Sequence, residues 1–126
     1  MTHTVTYNSR DNIVEAKVQG DLTLAIIKEL AFEGWKVAKE QNCYSILSDL
    51  REAEIKLSTL EIYELPKVLL ELAASSGLDL YKVRRAFVAQ KGLNDLKFYE
   101  TVTLNRSQNA MYFLDMDEAR KWLSEK

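Results

Sequence analysis

Tyr44-Ser45-Ile46-Leu47-Ser48-Asp49-Leu50 (YSILSDL) is a short apolar run without helical spacing, which predicts a strand covered on both faces of a sheet. Helical patterns lie on either side of it. Upstream, Leu24, Ile27, Ala31, Trp35 and Ala38 recur every three or four residues, so a first helix is expected from about Thr23 to Gln41. Downstream, after a loop expected over Glu52 to Leu57, the stretch Ser58 to Ser76 carries Leu60, Tyr63, Leu65, Val68, Leu69 and Leu72, and Gly77 supplies a stop. A buried strand between two helices implies parallel neighbours joined by right-handed crossovers.

The remaining segments extend the same alternation. Thr4 to Asn8, the turn cluster Ser9-Arg10-Asp11-Asn12 and Ile13 to Gln19, with Val14, Ala16 and Val18 on one face, read as a β-hairpin, and Gly20 to Thr23 breaks the pattern. Val83 to Gln90 is a further strand closed by Lys91-Gly92. A third helix is expected over Asp95 to Asn105 with Asn94 as its cap. Ala110 to Leu114 is the last strand, and Asp117 to Ser124 a terminal helix burying Ala119, Trp122 and Leu123, with Asp115 and Glu118 spaced as a capping pair. Pro66 removes a backbone donor from the second helix and predicts a kink or two abutting helices. The order β-β-α-β-α-β-α-β-α gives an α/β class with a five-stranded mixed sheet and about four helices. At 126 residues, the whole span 1–126 is expected to form one domain.

Composition excludes several functions. With 17 basic and 19 acidic residues the net charge is −2, which disfavours a surface that grips nucleic acid through many phosphates. No apolar run approaches the length of a membrane span and no signal peptide is evident, so the expected location is cytoplasmic. Cys43 and His3 are the only residues of their types, too few for a structural zinc site or for most nucleophilic hydrolases, and Cys43 is expected to be a buried or rim thiol. Glycines at 20, 34, 77 and 92 fit no phosphate loop. No metal, cofactor or catalytic residue is expected, and the protein is not expected to be an enzyme.

Ligands of such sheets meet the carboxyl ends of parallel strands, here the corners Asp49 to Ser58, Gln90 to Asn94 and Asp115 to Glu118. Ser58-Thr59-Leu60-Glu61 has the spacing of a capping box, and Ser58 or Thr59, exposed at a helix start, is also a phosphorylation candidate. Lys82, Arg84, Arg85 and Lys91 are the only basic concentration. Arg84 and Arg85 must point to opposite faces of their strand, so a solvated rim is expected in place of an anion pocket. The aromatics Tyr63, Phe87, Phe98, Tyr99, Tyr112 and Phe113 are expected mostly in the core. Ile62, Tyr63, Leu65, Val68, Leu69, Leu70 and Leu72 exceed one helical stripe, leaving either an apolar groove or coverage by the third helix or the chain's own loops.

The strand YSILSDLR running into a Ser-capped helix, the ending MYFLDMDEARKWLSEK and the element order together resemble the STAS family, in its SpoIIAA-like branch of anti-sigma-factor antagonists. The resemblance implies an N-terminal β-hairpin followed by alternating helices and strands. It also implies a serine phosphorylated by a partner kinase within an Asp-Ser-Ser-Gly-like stretch. Ser58 falls on that position, with Leu57 in place of the Asp and Leu60 in place of the Gly. Members lacking the phospho-motif look like small-ligand, lipid or partner-binding modules. The expectation is therefore a non-enzymatic regulatory protein-interaction module of the anti-sigma-factor-antagonist type. The alternative is a carrier or sensor of a small apolar, lipid-like ligand in a cleft beside the second helix. The expected surface comprises Asp49, Arg51, Leu60, Tyr63, Leu69, Gln90, Lys91 and Phe98, with a homodimer also allowed. A cavity opening near Tyr63, Leu69 and Phe98 would favour the ligand, and a flat exposed patch the protein partner.

Overall fold

The turn cluster after Asn8 reverses the chain, with Asn12 in the left-handed region at φ 54° that asparagine tolerates. The strands it joins, β1 (Thr2–Asn8) and β2 (Ile13–Leu22), pair antiparallel with Asn8 opposite Ile13. This is a computed structural model, and it describes residues 2–90, 94–105 and 108–125. The expected alternation follows: α1 (Leu24–Glu40), β3 (Ser45–Ile55), α2 (Thr59–Ser75), β4 (Arg84–Val88), α3 (Asn94–Asn105), β5 (Asn109–Phe113) and α4 (Met116–Ser124), with a short 3-10 turn over Leu80–Lys82. The sheet order is β1-β2-β3-β4-β5, and the pairs β2/β3, β3/β4 and β4/β5 are parallel.

That order places the helices. Each parallel connection moves one strand in the same direction, so crossovers of one hand must lay α1, α2 and α3 on the same face. There they close a core of Val14, Ile46 and Ala110 from the sheet against Trp35, Ala38, Ile62, Leu65, Leu69 and Tyr99. The last helix, α4, follows no further crossover and seals the opposite face, where Ala119 and Leu123 pack on Ile13, Leu47, Ala86 and Val88. Strand alternation thus sends Ile46, Ser48 and Leu50 to the three-helix face and Leu47 and Asp49 to the α4 face.

Three expectations need correction. The second and third strands are longer than their apolar runs: β2 continues through Gly20, at φ 97°, to Leu22, and β3 continues through Arg51-Glu52-Ala53-Glu54 to Ile55, so most of the expected loop 52–57 is strand. A register shift between Lys17 and Gln19 lets the two run on as a ribbon past the end of β4, with Ala53 and Ile55 on the apolar side and Glu52 and Glu54 outward. Second, of the two forms expected at Pro66, the abutting pair does not occur: α2 is a single helix through the buried proline. Third, Asn94 is the first residue of α3, not a cap outside it, and its side chain lies outside the described residues. Asp115 caps α4 as expected, its carboxylate accepting from the amide of Asp117 at 2.8 Å. Cys43 is fully buried and donates to the carbonyls of Asn12 and Ser45. No helix among the described residues is long and apolar enough to cross a membrane.

Candidate functional site

Two features stand out at and beneath the start of α2. The first is its N-terminus. Ser58 adopts extended geometry (φ −74°, ψ 162°), its Oγ accepts from the Glu61 amide at 3.1 Å, and the Glu61 carboxylate accepts from the Ser58 amide at 2.8 Å. This reciprocal pair satisfies two amides that the first helical turn leaves without intrahelical partners. Immediately above it Leu60 is 68% exposed and Tyr63 51% exposed, three residues apart and hence on one side of the helix. Thr59 is exposed beside them.

The second feature is a cavity of about 120 Å³ between the three-helix face of the sheet and α1, α2 and α3. Its walls are almost wholly apolar, including Ala16, Val18, Leu50, Trp35 and Leu65, and Ser48, Arg85 and Tyr99 are lining residues that carry polar side-chain groups. The lining residues that keep partial exposure are Ile27, Leu30 and Ala31 of α1, Ser48 and Ile55 of β3, Leu57 just after it, and Phe87 of β4. The space is therefore partly open to solvent, and Leu57, the residue before Ser58, is on its wall. Gly34 of α1 also lines it, and a methyl group built there would meet no neighbouring atom within 4 Å.

Arg85 was expected on a solvated rim, and it is not there. It is 4% exposed, with Nη1 donating to Tyr99 Oη at 3.0 Å and Nη2 to Gln108 Oε1 at 2.7 Å. The Gln108 carboxamide is held in turn by donation from Nε2 to the Pro66 carbonyl at 3.1 Å. Its neighbour Arg84 lies on the other face, stacked over Trp122 at 4.1 Å and bonded to the carbonyl of Glu125. The opposition of the two arginines follows from strand alternation, but the burial of one of them does not. That required Gln108 and Tyr99 to be brought up beside it, the first from just before β5 and the second from α3.

The residues expected to form one surface are distributed over several places. Leu60 and Tyr63 are together on the outward side of α2, whereas Leu69 is buried in the core at 5% exposure and lines the cavity. Phe98 is exposed on α3 and Gln90 follows β4, while Lys91 lies outside the described residues. Neither Tyr63 nor Phe98 lines the cavity; Tyr99 does. Asp49 and Arg51 belong to a charged cluster beside α4: Arg51 grips Asp49 through two bonds of 2.9 Å, and Arg120 grips Glu15 at 3.0 and 3.1 Å with Asp11 3.7 Å away. Hydrogen bonding from Arg51 holds the Asp49 carboxyl below its ordinary value against the opposing effect of burial, and Arg120 does the same for Glu15. No group of three or more His, Cys, Asp or Glu side chains among the described residues is arranged to hold a metal.

No family model and no curated protein matches the sequence. Solved structures do resemble the fold. An anti-sigma factor antagonist from Mycobacterium paratuberculosis superposes with a TM-score of 0.56 over 98% of this chain and 96% of its own, at 14% identity. The anti-sigma factor antagonist SpoIIAA in its unphosphorylated form superposes with a TM-score of 0.54 over 99% of this chain and 100% of its own, at 12% identity. The chain has the STAS fold of SpoIIAA-like proteins, with four α-helices and a five-stranded mixed sheet among the described residues.

Proposed function

We propose that this protein is a non-enzymatic regulatory module that binds a protein partner through the start of α2, in the manner of an anti-sigma-factor antagonist. The observation that carries the reading is the exposed pair Leu60 and Tyr63 directly above the Ser58 capping box, on a fold that matches anti-sigma factor antagonists end to end. Large apolar side chains held out on a rigid helix are typical anchors of an interface. Ser58 beside them offers a point of control. A phosphate on its Oγ would face the Glu61 carboxylate and displace it from the Ser58 amide, changing the charge of the surface at its edge. The test is calorimetry of the full chain against each purified anti-sigma factor encoded in its source genome. Saturable binding that Leu60→Asp abolishes supports the reading, and no binding to any of them overturns it.

The cavity beneath α2 favours a second reading, a carrier or sensor of a small apolar ligand. An open apolar space with few polar groups on its wall is the usual form of a small-molecule site. The two readings occupy different places, the outward side of α2 and the space under it. The single-domain span 1–126, a cytoplasmic location and a homodimer remain part of the proposal.

A further inference from the structure

Arg85 is a buried cation whose hydrogen-bonding partners are both neutral. Among the described residues its guanidinium meets only the Tyr99 hydroxyl and the Gln108 carboxamide, no carboxylate forms an ion pair with it, and Nε has no acceptor. A guanidinium taken out of water without an opposite charge is strongly unfavourable unless something supplies that charge. Arg85 also lines the apolar cavity. On the same face of the sheet Ser48 lies diagonally across from it, one strand over, and lines the cavity too.

The cavity itself is held open at some expense. Gly34 sits in the middle of α1, where glycine weakens a helix, and no close approach of a neighbour accounts for it. What its missing side chain leaves is space facing the sheet. A cavity of roughly 150 Å³ holds benzene, so about 120 Å³ partly open to solvent suits a body of about six carbons.

We infer that this cavity is a binding site for a small amphipathic monocarboxylate, its carboxylate on the Arg85 guanidinium with the Ser48 hydroxyl beside it, and its short aliphatic or single-ring body among the apolar walls. The guanidinium fork matches a carboxylate, and the charge-assisted bonds would complete the donors that neutral partners leave unused. The inference rests on the second reading above, that of a ligand carrier or sensor, and is independent of the protein partner.

The experiment is titration of the full chain with hexanoate and benzoate, and with the neutral counterparts hexanol and benzyl alcohol, followed by calorimetry and by amide chemical shifts. The carboxylates are expected to bind at least roughly tenfold more tightly than the alcohols, the usual reach of a charge-assisted pair, with shifts at Ser48, Arg85 and Gly34. Arg85→Met should reduce the carboxylates to the affinity of the alcohols. Gly34→Met, which keeps Arg85 and fills the space, should abolish binding of all four and serves if Arg85→Met fails to fold. Equal affinity of carboxylate and alcohol would overturn the role of Arg85 while leaving a ligand cavity. Binding of none of the four would overturn both the inference and the reading on which it rests.

Discussion

Replacing Gly34 by alanine should stabilise the protein, an unusual expectation for a buried glycine. Buried glycines are commonly kept because a neighbour comes too close for a methyl group, and such replacements are then costly. Here the added carbon would have no neighbouring heavy atom within 4 Å, and the residue is in the interior of a 17-residue helix. Alanine is favoured over glycine in a helix interior by about 1 kcal/mol, part of it through the smaller entropy of the unfolded chain. Moving one methyl group from water into apolar space adds at most about 0.8 kcal/mol, and less here because few atoms are near enough to attract it. The gain expected is therefore about 1–2 kcal/mol. With unfolding entropy of about 2.1 cal/mol/K per residue, a chain of 126 residues should melt about 4–8 °C higher. Urea unfolding followed by circular dichroism is the assay, with the midpoint rising at unchanged slope. A midpoint that stays level or falls would mean that α1 lies against the sheet at this point, and the cavity argument would fail with it.

Ser58→Ala removes one half of the capping box and should cost about 1 kcal/mol in urea melts, with Ser58→Asp recovering most of the loss by accepting the same amide bond. Leu60→Asp, at an exposed position, should leave the unfolding midpoint within about 0.5 kcal/mol of the parent while removing partner binding; a large loss of stability would show that Leu60 is structural. Acidification should destabilise the fold through Glu15 and Asp49, whose folded-state values are depressed by Arg120 and Arg51. Their contribution is complete above the ordinary carboxylate range and is lost as pH falls through the lowered values. Arg120→Ala should accordingly cost about 1 kcal/mol at neutral pH, and the gap from the parent should narrow at about pH 3; a gap equal at both would exclude the linkage.

Local pattern determined much of this protein. The spacing of Leu24, Ile27, Ala31, Trp35 and Ala38 is enough for α1, whose observed caps, Thr23 and Gln41, are the expected limits. Ser58 and Glu61 carry their own capping geometry because both partners lie within one helical turn. The strand order was not legible in this way: crossovers of one hand restrict it, but that each moves one step is seen only in the folded sheet. Sequence reading stopped β3 at Leu50, however, because the stretch after it is polar. Its continuation to Ile55 depends on β2 lying alongside to pair with it, a contact between residues more than thirty apart in the chain. The one-helix form of α2 is likewise a tertiary result, since Pro66 is buried in the core and its carbonyl accepts from Gln108, 42 residues away.

The candidate sites divide in the same way. The exposed start of α2 was legible because Ser58, Leu60, Glu61 and Tyr63 are neighbours in sequence and on the helix alike. The cavity was not. Its wall is made of residues from β2, β3, β4 and three helices, and its volume is a small difference between the shapes of elements brought together only by folding. Arg85 shows the limit most plainly. Alternation along β4 determined that it and Arg84 face apart, but whether a charge is buried or solvated depends on what covers it. Its covering, Tyr99, Gln108 and the backbone of Pro66, comes from three separate segments that nothing in the Arg-Arg pair foretells.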